Sequence, residues 1–374
     1  MVERKKKGTT KTTKRTSKKS PVRKTHTSAR RVSAPRAKKG QSPIALKRSE
    51  KNPIITPSEH FWESRGTFNP SALLHDGLVH IIYRAVGGND ISMVGYAQSK
   101  DGVSIHKKFP SPMFYHHQAA DESVPFSVPY SSGGGTNGGC EDARLTKIGD
   151  RVYMVFTAFD GWSSIRIALT WISLNDFLNQ HWKWKKPVFI SPPNEVHKNW
   201  VLFPEKIKGK YAILHRITPK LGVAYVESLD ELDGTKFLES VPKGKATKRR
   251  AWDNWLRGAG PSPILTPEGW LVLYHAMDNR DPNRYKLGAL LLDAKNPEKI
   301  IARASEPILE PDEWYENQGF KAGVIYACGA IIKDGTLFVY YGGADTVSCV
   351  AAADVKKFLK ELKATGTPKL ARKR

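Results

Sequence analysis

Cysteine is scarce in this chain: three in 374 residues (Cys140, Cys328 and Cys349), with no Cys-x-x-Cys pair among them. An odd, scattered set argues against a disulfide framework or a cysteine-built zinc site and fits a reducing compartment. Long apolar runs are also missing. No segment approaches the roughly 18 consecutive apolar residues of a membrane span, and the N-terminus lacks the apolar stretch of a signal peptide. The expectation is a soluble, cytoplasmic protein with no membrane contact. Residues 1–50 lack Phe, Tyr and Trp and hold two acids, Glu3 and Glu50, against 18 Lys and Arg.

The formal net charge of +24 is therefore mostly a property of that segment, because the other 324 residues hold 42 basic and 34 acidic side chains. A segment so poor in apolar residues cannot bury enough surface to offset its chain entropy, so residues 1–50 are expected to be a disordered basic tail. A weak, salt-dependent contact with nucleic acid or an acidic surface is open to it. So is the plainer alternative, a solvated tail with no specific partner. The missing aromatics weaken a base-stacking role.

What the remainder holds is a repeat. A short strand, a Gly-containing turn and a strand rich in β-branched and aromatic residues recur from residue 51 onward. The turn glycines Gly77, Gly149, Gly209, Gly269 and Gly335 are spaced by 72, 60, 60 and 66 residues. Each unit continues with a third apolar strand, at 93–97, 165–170, 222–226, 287–292 and 347–352. Five units of three or four strands predict an all-β fold, a five-bladed β-propeller over residues 51–374. Two packed β-sandwiches would not require such even spacing. Helix is expected mainly at 354–363.

In a propeller the first strand of each blade lines the axis, so the starts of these strands and the ends of the next should converge. The residues there are polar: Asn69, Arg84, Asp142, Arg144, Lys206, His215, Arg216, Tyr274 and His275. Polar groups gathered at an axis need partners or a ligand. The most pointed stretch is Gly138-Gly139-Cys140-Glu141-Asp142-Ala143-Arg144. On a regular strand Asp142 and Arg144 share a face, and Glu141 points away from Asp142. A structural salt bridge at a strand entrance is the bland alternative.

At these residues the chain resembles glycoside hydrolase family 130, the β-mannoside phosphorylases. The pieces that carry the resemblance are Phe68-Asn69-Pro70-Ser71-Ala72, Ile82-Tyr83-Arg84-Ala85, Glu141-Asp142-Ala143-Arg144, Phe203-Pro204-Glu205-Lys206, Tyr274-His275 and Tyr341-Gly342-Gly343-Ala344-Asp345. They fall in order over roughly residues 51–355, blade by blade. The family motif has Pro where this chain has Ala143, a change of backbone stiffness and not of a reacting group. The resemblance implies reversible, inverting phosphorolysis of a β-1,4-linked mannoside to α-mannose 1-phosphate and a shortened acceptor. It also implies Asp142 as the proton donor, acting through the sugar 3-hydroxyl. A homo-oligomer is an expectation of the same kind.

The residue types agree with that reading. An inverting hydrolase needs an acid and a carboxylate base. Phosphate already carries charge, so cations that position it can stand in for the base. The phosphate candidates are Arg144, Arg166, Lys206, Tyr274 and His275; arginine's planar fork suits bidentate contact. The sugar candidates are Asn69, Arg84, His215, Asp278 and Asp345, with Trp252, Trp255 and Trp314 as ring platforms. Against these, Arg166 and Lys206 could face solvent, Asp278 could cap a turn, and the tryptophans could be core. Phosphate enters as co-substrate; neither a metal nor an organic cofactor is implied. A hydrolase on the same scaffold, a carbohydrate-binding propeller without catalysis, and a nucleic-acid-associated protein acting through its tail remain the rivals.

Overall fold

Runs such as residues 78–86 and 151–159 carry apolar side chains at odd and even positions alike, so both faces of each strand need cover. The computed structural model, which describes residues 44–115, 138–159, 165–240 and 251–367, supplies it. The described chain is mostly β and forms four hydrogen-bonded sheets; the largest joins two successive antiparallel groups of strands, which gives five such groups, units I to V, in chain order. A short strand, β1 (Lys47–Arg48), precedes them. Unit I is β2 (Gly66–His75), β3 (Leu78–Val86), β4 (Ile91–Ser99) and β5 (Ile105–Lys108); unit II is β6 (Gly138–Ile148), β7 (Arg151–Phe159), β8 (Ile165–Ser173) and β9 (Val188–Phe189). Unit III is β10 (Val201–Leu202), β11 (Tyr211–Arg216) and β12 (Gly222–Val226). Unit IV is β13 (Trp255–Ala259), β14 (Ile264–Thr266), β15 (Gly269–Asp278), β16 (Asp281–Leu292) and β17 (Ile300–Arg303). Unit V is β18 (Ile325–Lys333), β19 (Thr336–Gly343) and β20 (Val347–Asp354).

The pleat sends alternate side chains to different neighbours. Along β7, Val152, Met154, Phe156 and Ala158 pack into the core shared with unit I, while Tyr153 and Val155 pack into the core shared with unit III. Further cores lie between units III and IV and between units IV and V. A fifth joins unit V back to unit I through Ile331, Tyr340 and Val350 against Val79, Ile81 and Tyr83. Units I and II are also linked at one edge by a parallel pairing of Ile91 with Gly138 and Ser92 with Gly139. The expected third strands are β4, β8, β12, β16 and β20.

Four of the five turn glycines, Gly77, Gly149, Gly209 and Gly335, have φ between 60° and 80° and open space where a Cβ would sit. Their spacing in the sequence therefore records a backbone conformation, the left-handed turn that glycine adopts without steric cost. Besides α1 (Leu174–Leu178) and α2 (Trp314–Asn317), the described helix is α3 (Val355–Thr365), where helix was expected. Its N-cap Asp354 accepts the Lys357 N–H at 2.7 Å.

The boundary of the tail needs correction. Residues 1–43 lie outside the described residues, and with them most of the expected disordered segment and its nucleic-acid contact. Residues 44–50, however, belong to the fold. Ile44 and Leu46 are buried in the core between units IV and V, and Lys47 and Arg48 pair antiparallel with Ala352 and Ala351 of β20. Composition misplaced this segment because its two apolar anchors sit among charges, and what they fill is formed by residues hundreds of positions away.

Candidate active site

The site grows from a defect repeated in the first long strands of units I and II. Register slips between Phe68 and Ser71 in β2 and between Glu141 and Arg144 in β6. Asn69 and Asp142 take the extra position, with φ of 50° and 52°. Asn and Asp are the side chains best suited to this left-handed backbone after glycine, and such bulges redirect side chains. Asn69 Nδ2 then donates to Asp142 Oδ1 at 2.7 Å.

The bulge overturns two expectations drawn from regular strand alternation. Glu141 and Asp142 do not point apart: both reach Arg84, whose Nη2 lies 3.1 Å from Glu141 Oε1 and whose Nη1 lies 3.3 Å from Asp142 Oδ1. Asp142 and Arg144 do not pair through their side-chain charges either. Arg144 Nη1 donates to the Asp142 main-chain carbonyl at 2.6 Å, Nε to Gly260 O at 2.9 Å and Nη2 to Asn199 Oδ1 at 3.0 Å. Arg144, expected to hold phosphate, is thus a buried strut beneath the acid.

Arg84 is braced by Ser92 Oγ at 2.9 Å and lies 4.9 Å from the Phe68 ring centre. Burial pushes the Asp142 carboxyl up, but the charges of Arg84, Lys198 and Arg144 and the Asn69 hydrogen bond outweigh it and hold the group below the usual carboxylate range. Glu141 is also held low, burial again being opposed by Arg84 and Lys198. Asp345, another left-handed residue (φ 52°), feels Arg84, Asp142 and Glu141 from nearby, yet burial dominates and raises it to about 6.

Lys198 is the group that the sequence reading missed. Its Nζ sits 2.7 Å from Glu141 Oε2, and it helps to line a cavity of about 40 Å³ with His197, His215, Arg216 and Arg257. Among the described residues no carboxylate lines that cavity, although Glu195 Oε2 lies 2.6 Å from the lining His197 Nε2. Lys198 precedes Asn199, which has a left-handed backbone like that of Asp142, with φ of 66°, two residues before β10. The repeat could have flagged it, but unit III places a longer irregular stretch between this position and its turn glycine.

Several other expected residues are placed elsewhere. Lys206, chosen for phosphate from the same unit, lies at the far end of β10 from Lys198, exposed, with Nζ 4.4 Å from the Tyr211 ring centre. Tyr274 and His275, chosen together, face opposite sides of β15, as adjacent strand residues do. Tyr274 Oη donates to Asp253 Oδ2 at 2.8 Å in a buried cluster with Arg303. His275 stays with the inner strands: its Nε2 accepts the Ala327 N–H at 2.9 Å, and its ring stacks on Tyr326 at 3.9 Å.

Arg166 packs against Phe189 and Phe237 and donates to Ser191 O at 2.6 Å, on the flank of unit II. His215 lines the cation-rich cavity and hydrogen-bonds Ser240 Oγ at 2.7 Å; burial first, then Arg216 and His197, lower its pKa to about 4. Asp278 serves the hairpin after β15, accepting the Arg280 N–H at 3.0 Å and Asn254 Nδ2 at 2.9 Å. Trp252 is core, stacked on Tyr274; Trp255 carries Arg257 4.8 Å from its ring centre; Trp314 is exposed.

A family model described as beta-1,4-mannooligosaccharide phosphorylase, that of glycoside hydrolase family 130, matches residues 45–364. The chain belongs to glycoside hydrolase family 130. Among family 130 relatives it is 36% identical over 322 residues to a 1,2-beta-oligomannan phosphorylase of Thermoanaerobacter sp. (strain X514), covering 84% of this chain and 98% of that protein. It is 34% identical to a beta-1,2-mannobiose phosphorylase of the same strain, over 83% of this chain and 98% of the relative. The solved beta-1,2-mannobiose phosphorylase of Listeria innocua, in complex with beta-1,2-mannobiose, superposes with a TM-score of 0.63 at 26% identity. That match covers 85% of this chain and 99% of the solved one. Asn69, Arg84 and Asp142, which lie in three of the segments that carried the resemblance, are brought together by the two bulged strands and β3.

Proposed function

We propose that this chain is an inverting β-mannoside phosphorylase, with Asp142 as proton donor and inorganic phosphate as co-substrate. One observation carries the reading. A buried acid held by Asn69 and Arg84 is joined, through Glu141 and Lys198, to a cavity lined by cationic side chains and no carboxylate. A hydrolase needs a base there to activate water; a cation-lined cavity suits an anion that is already a nucleophile.

In the reaction, a phosphate oxygen forms the new bond to the anomeric carbon as the glycosidic C–O bond breaks. The leaving oxygen takes its proton from the sugar 3-hydroxyl, which the Asp142 carboxyl reprotonates, and the proton of the entering hydrogen phosphate restores Asp142. Asp142 is ionised before substrate binds, so the chemistry requires its pKa to rise in the complex. A phosphate dianion nearby and the exclusion of water both act in that direction. Asn69 and Arg84 orient the acid, and Lys198, His215 and Arg216 are the groups placed to meet phosphate. Asp345 is placed to meet a sugar hydroxyl.

For the linkage we take β-1,2 in place of the β-1,4 that the resemblance implied, because both relatives covered over 98% of their length carry β-1,2 names. For the architecture we take a five-bladed β-propeller; the five cores, the last joining unit V to unit I, support it. Cytoplasmic placement rests on the three scattered cysteines, all buried. The test is phosphate release from α-mannose 1-phosphate with mannose, glucose or N-acetylglucosamine offered as acceptor, in wild type and Asp142→Asn. Phosphate-independent cleavage of a β-mannoside would transfer the case to a hydrolase. Comparing β-1,2- and β-1,4-mannobiose as substrates decides the linkage.

A further inference from the structure

Glu141 is the buried acid to which the reaction assigns no chemistry. Its side chain is fully buried, so it cannot touch a substrate. Its two oxygens are divided between two cations: Oε1 lies 3.1 Å from Arg84 Nη2, and Oε2 lies 2.7 Å from Lys198 Nζ. Arg84 turns its other terminal nitrogen to Asp142 Oδ1 at 3.3 Å, and Lys198 lines the cation-rich cavity. One carboxylate therefore spans the acid's arginine and the cavity's lysine.

The fold makes this bridge by repetition. Glu141 precedes the left-handed Asp142 in β6 and Lys198 precedes the left-handed Asn199 ahead of β10, so two similar backbone settings in neighbouring units carry opposite charges. A lysine is a point charge on a flexible stem, set in place only by what it pairs with. We propose that Glu141 is a positioning residue for phosphorolysis: it sets Lys198 at the phosphate cavity and holds Arg84 on Asp142, so that the two halves of the site are aligned by one side chain. This rests on the phosphorylase reading above.

The role separates from a merely structural one through the charge of Lys198. Burial works against that charge, and Glu141 and Asp142 from β6 restore it against Arg84. The other groups that line the cavity are His197, His215, Arg216 and Arg257, and the Glu195 carboxylate lies 2.6 Å from His197 Nε2. Without the Glu141 charge, Lys198 loses its proton at lower pH and with it its hold on an anion.

The experiment is steady-state phosphorolysis by the full chain with phosphate and mannoside varied separately, across pH, in wild type, Glu141→Gln, Glu141→Asp, Lys198→Gln and the Glu141→Gln/Lys198→Gln double variant. Glu141→Gln is expected to raise the phosphate KM about tenfold or more while the mannoside KM stays within about threefold. The alkaline fall of kcat/KM for phosphate should move to lower pH. On the Lys198→Gln background the same change should alter the phosphate KM by less than about threefold, because the effect runs through Lys198. Equal rises in both KM values, an unmoved alkaline limb, or effects that multiply would each overturn the role. Should Glu141→Gln not fold, Glu141→Asp decides: an acid too short to reach both cations must still raise the phosphate KM, and a wild-type value would overturn the proposal. Wild-type turnover that does not depend on phosphate would remove the phosphorylase reading and this role with it, whereas phosphate-dependent wild type with an unaltered Glu141→Gln removes this role alone.

Discussion

Asn69 and Asp142 occupy the same place in successive units, each the left-handed residue of a bulged inner strand, and Asn69 Nδ2 donates to Asp142 Oδ1 at 2.7 Å. The acid is therefore held by its own structural counterpart. A bulge in one strand alone would re-aim a single side chain; two in register bring a donor and an acceptor together.

The first prediction follows from that pair. Asn69→Ala removes a donor that favours the charged form of Asp142, so the Asp142 pKa should rise relative to wild type. Carbon-detected NMR titration of the carboxyl reads this directly. Alanine at a φ of 50° adds backbone strain of about 1 kcal/mol. Phosphorolysis should fall at least about tenfold. A carboxyl that titrates as in wild type would show that Asn69 does not hold the acid.

Asp345 makes stability depend on pH in the opposite sense from Asp142. Its folded pKa, about 6, lies above the ordinary value, so the stability it contributes is complete below about pH 4 and is lost as pH rises through 6. Asp345→Asn should leave stability nearly unchanged at pH 4 and raise it by about 3 kcal/mol at pH 8. Urea unfolding at the two pH values checks both halves. A variant that is destabilised at pH 8 would count against a raised pKa.

Lys198 and Lys206 lie at opposite ends of β10, and their alanine variants should differ accordingly. Lys206→Ala should keep kcat/KM within about twofold, as surface substitutions away from a site usually do. Lys198→Ala should raise the phosphate KM by about tenfold or more. The reverse pattern, read from phosphate-dependent initial rates, would place the phosphate at the other end of unit III.

Arg48 ties the first strand to the last unit. Its Nε lies 2.7 Å from Glu316 Oε1 and its Nη2 2.8 Å from Oε2, and the Glu316 side chain is fully buried. Arg48→Ala leaves that carboxylate with the Tyr341 hydroxyl at 2.8 Å and the Asp312 and Glu313 N–H groups at 2.7 and 3.1 Å but with no facing cation among the described residues, and should cost about 3 kcal/mol in urea unfolding. The activity of the folded fraction should stay near wild type, because the pair sits away from Asp142.

Local pattern alone was enough for the five units. Turn glycines need a left-handed conformation wherever they occur, and strands buried on both faces read as apolar at every position, so spacing and composition carried the strand grouping, the C-terminal helix and the expectation that Asn69, Arg84 and Asp142 meet, while their roles came only from the resemblance. Which groups meet was a tertiary matter. The bulges at Asn69 and Asp142 break the two-residue alternation on which any facing argument depends, which is why Glu141 turned toward Arg84 and Arg144 toward main-chain carbonyls. Lys198 escaped notice because unit III departs from the regular offset between inner position and turn. Residues 44–50 read as tail because their partners, β20 and Glu316, lie at the other end of the chain. Pattern along a strand is local and survives in sequence; register, bulges and long-range charge pairing come from packing one unit against the next, and they decided the site.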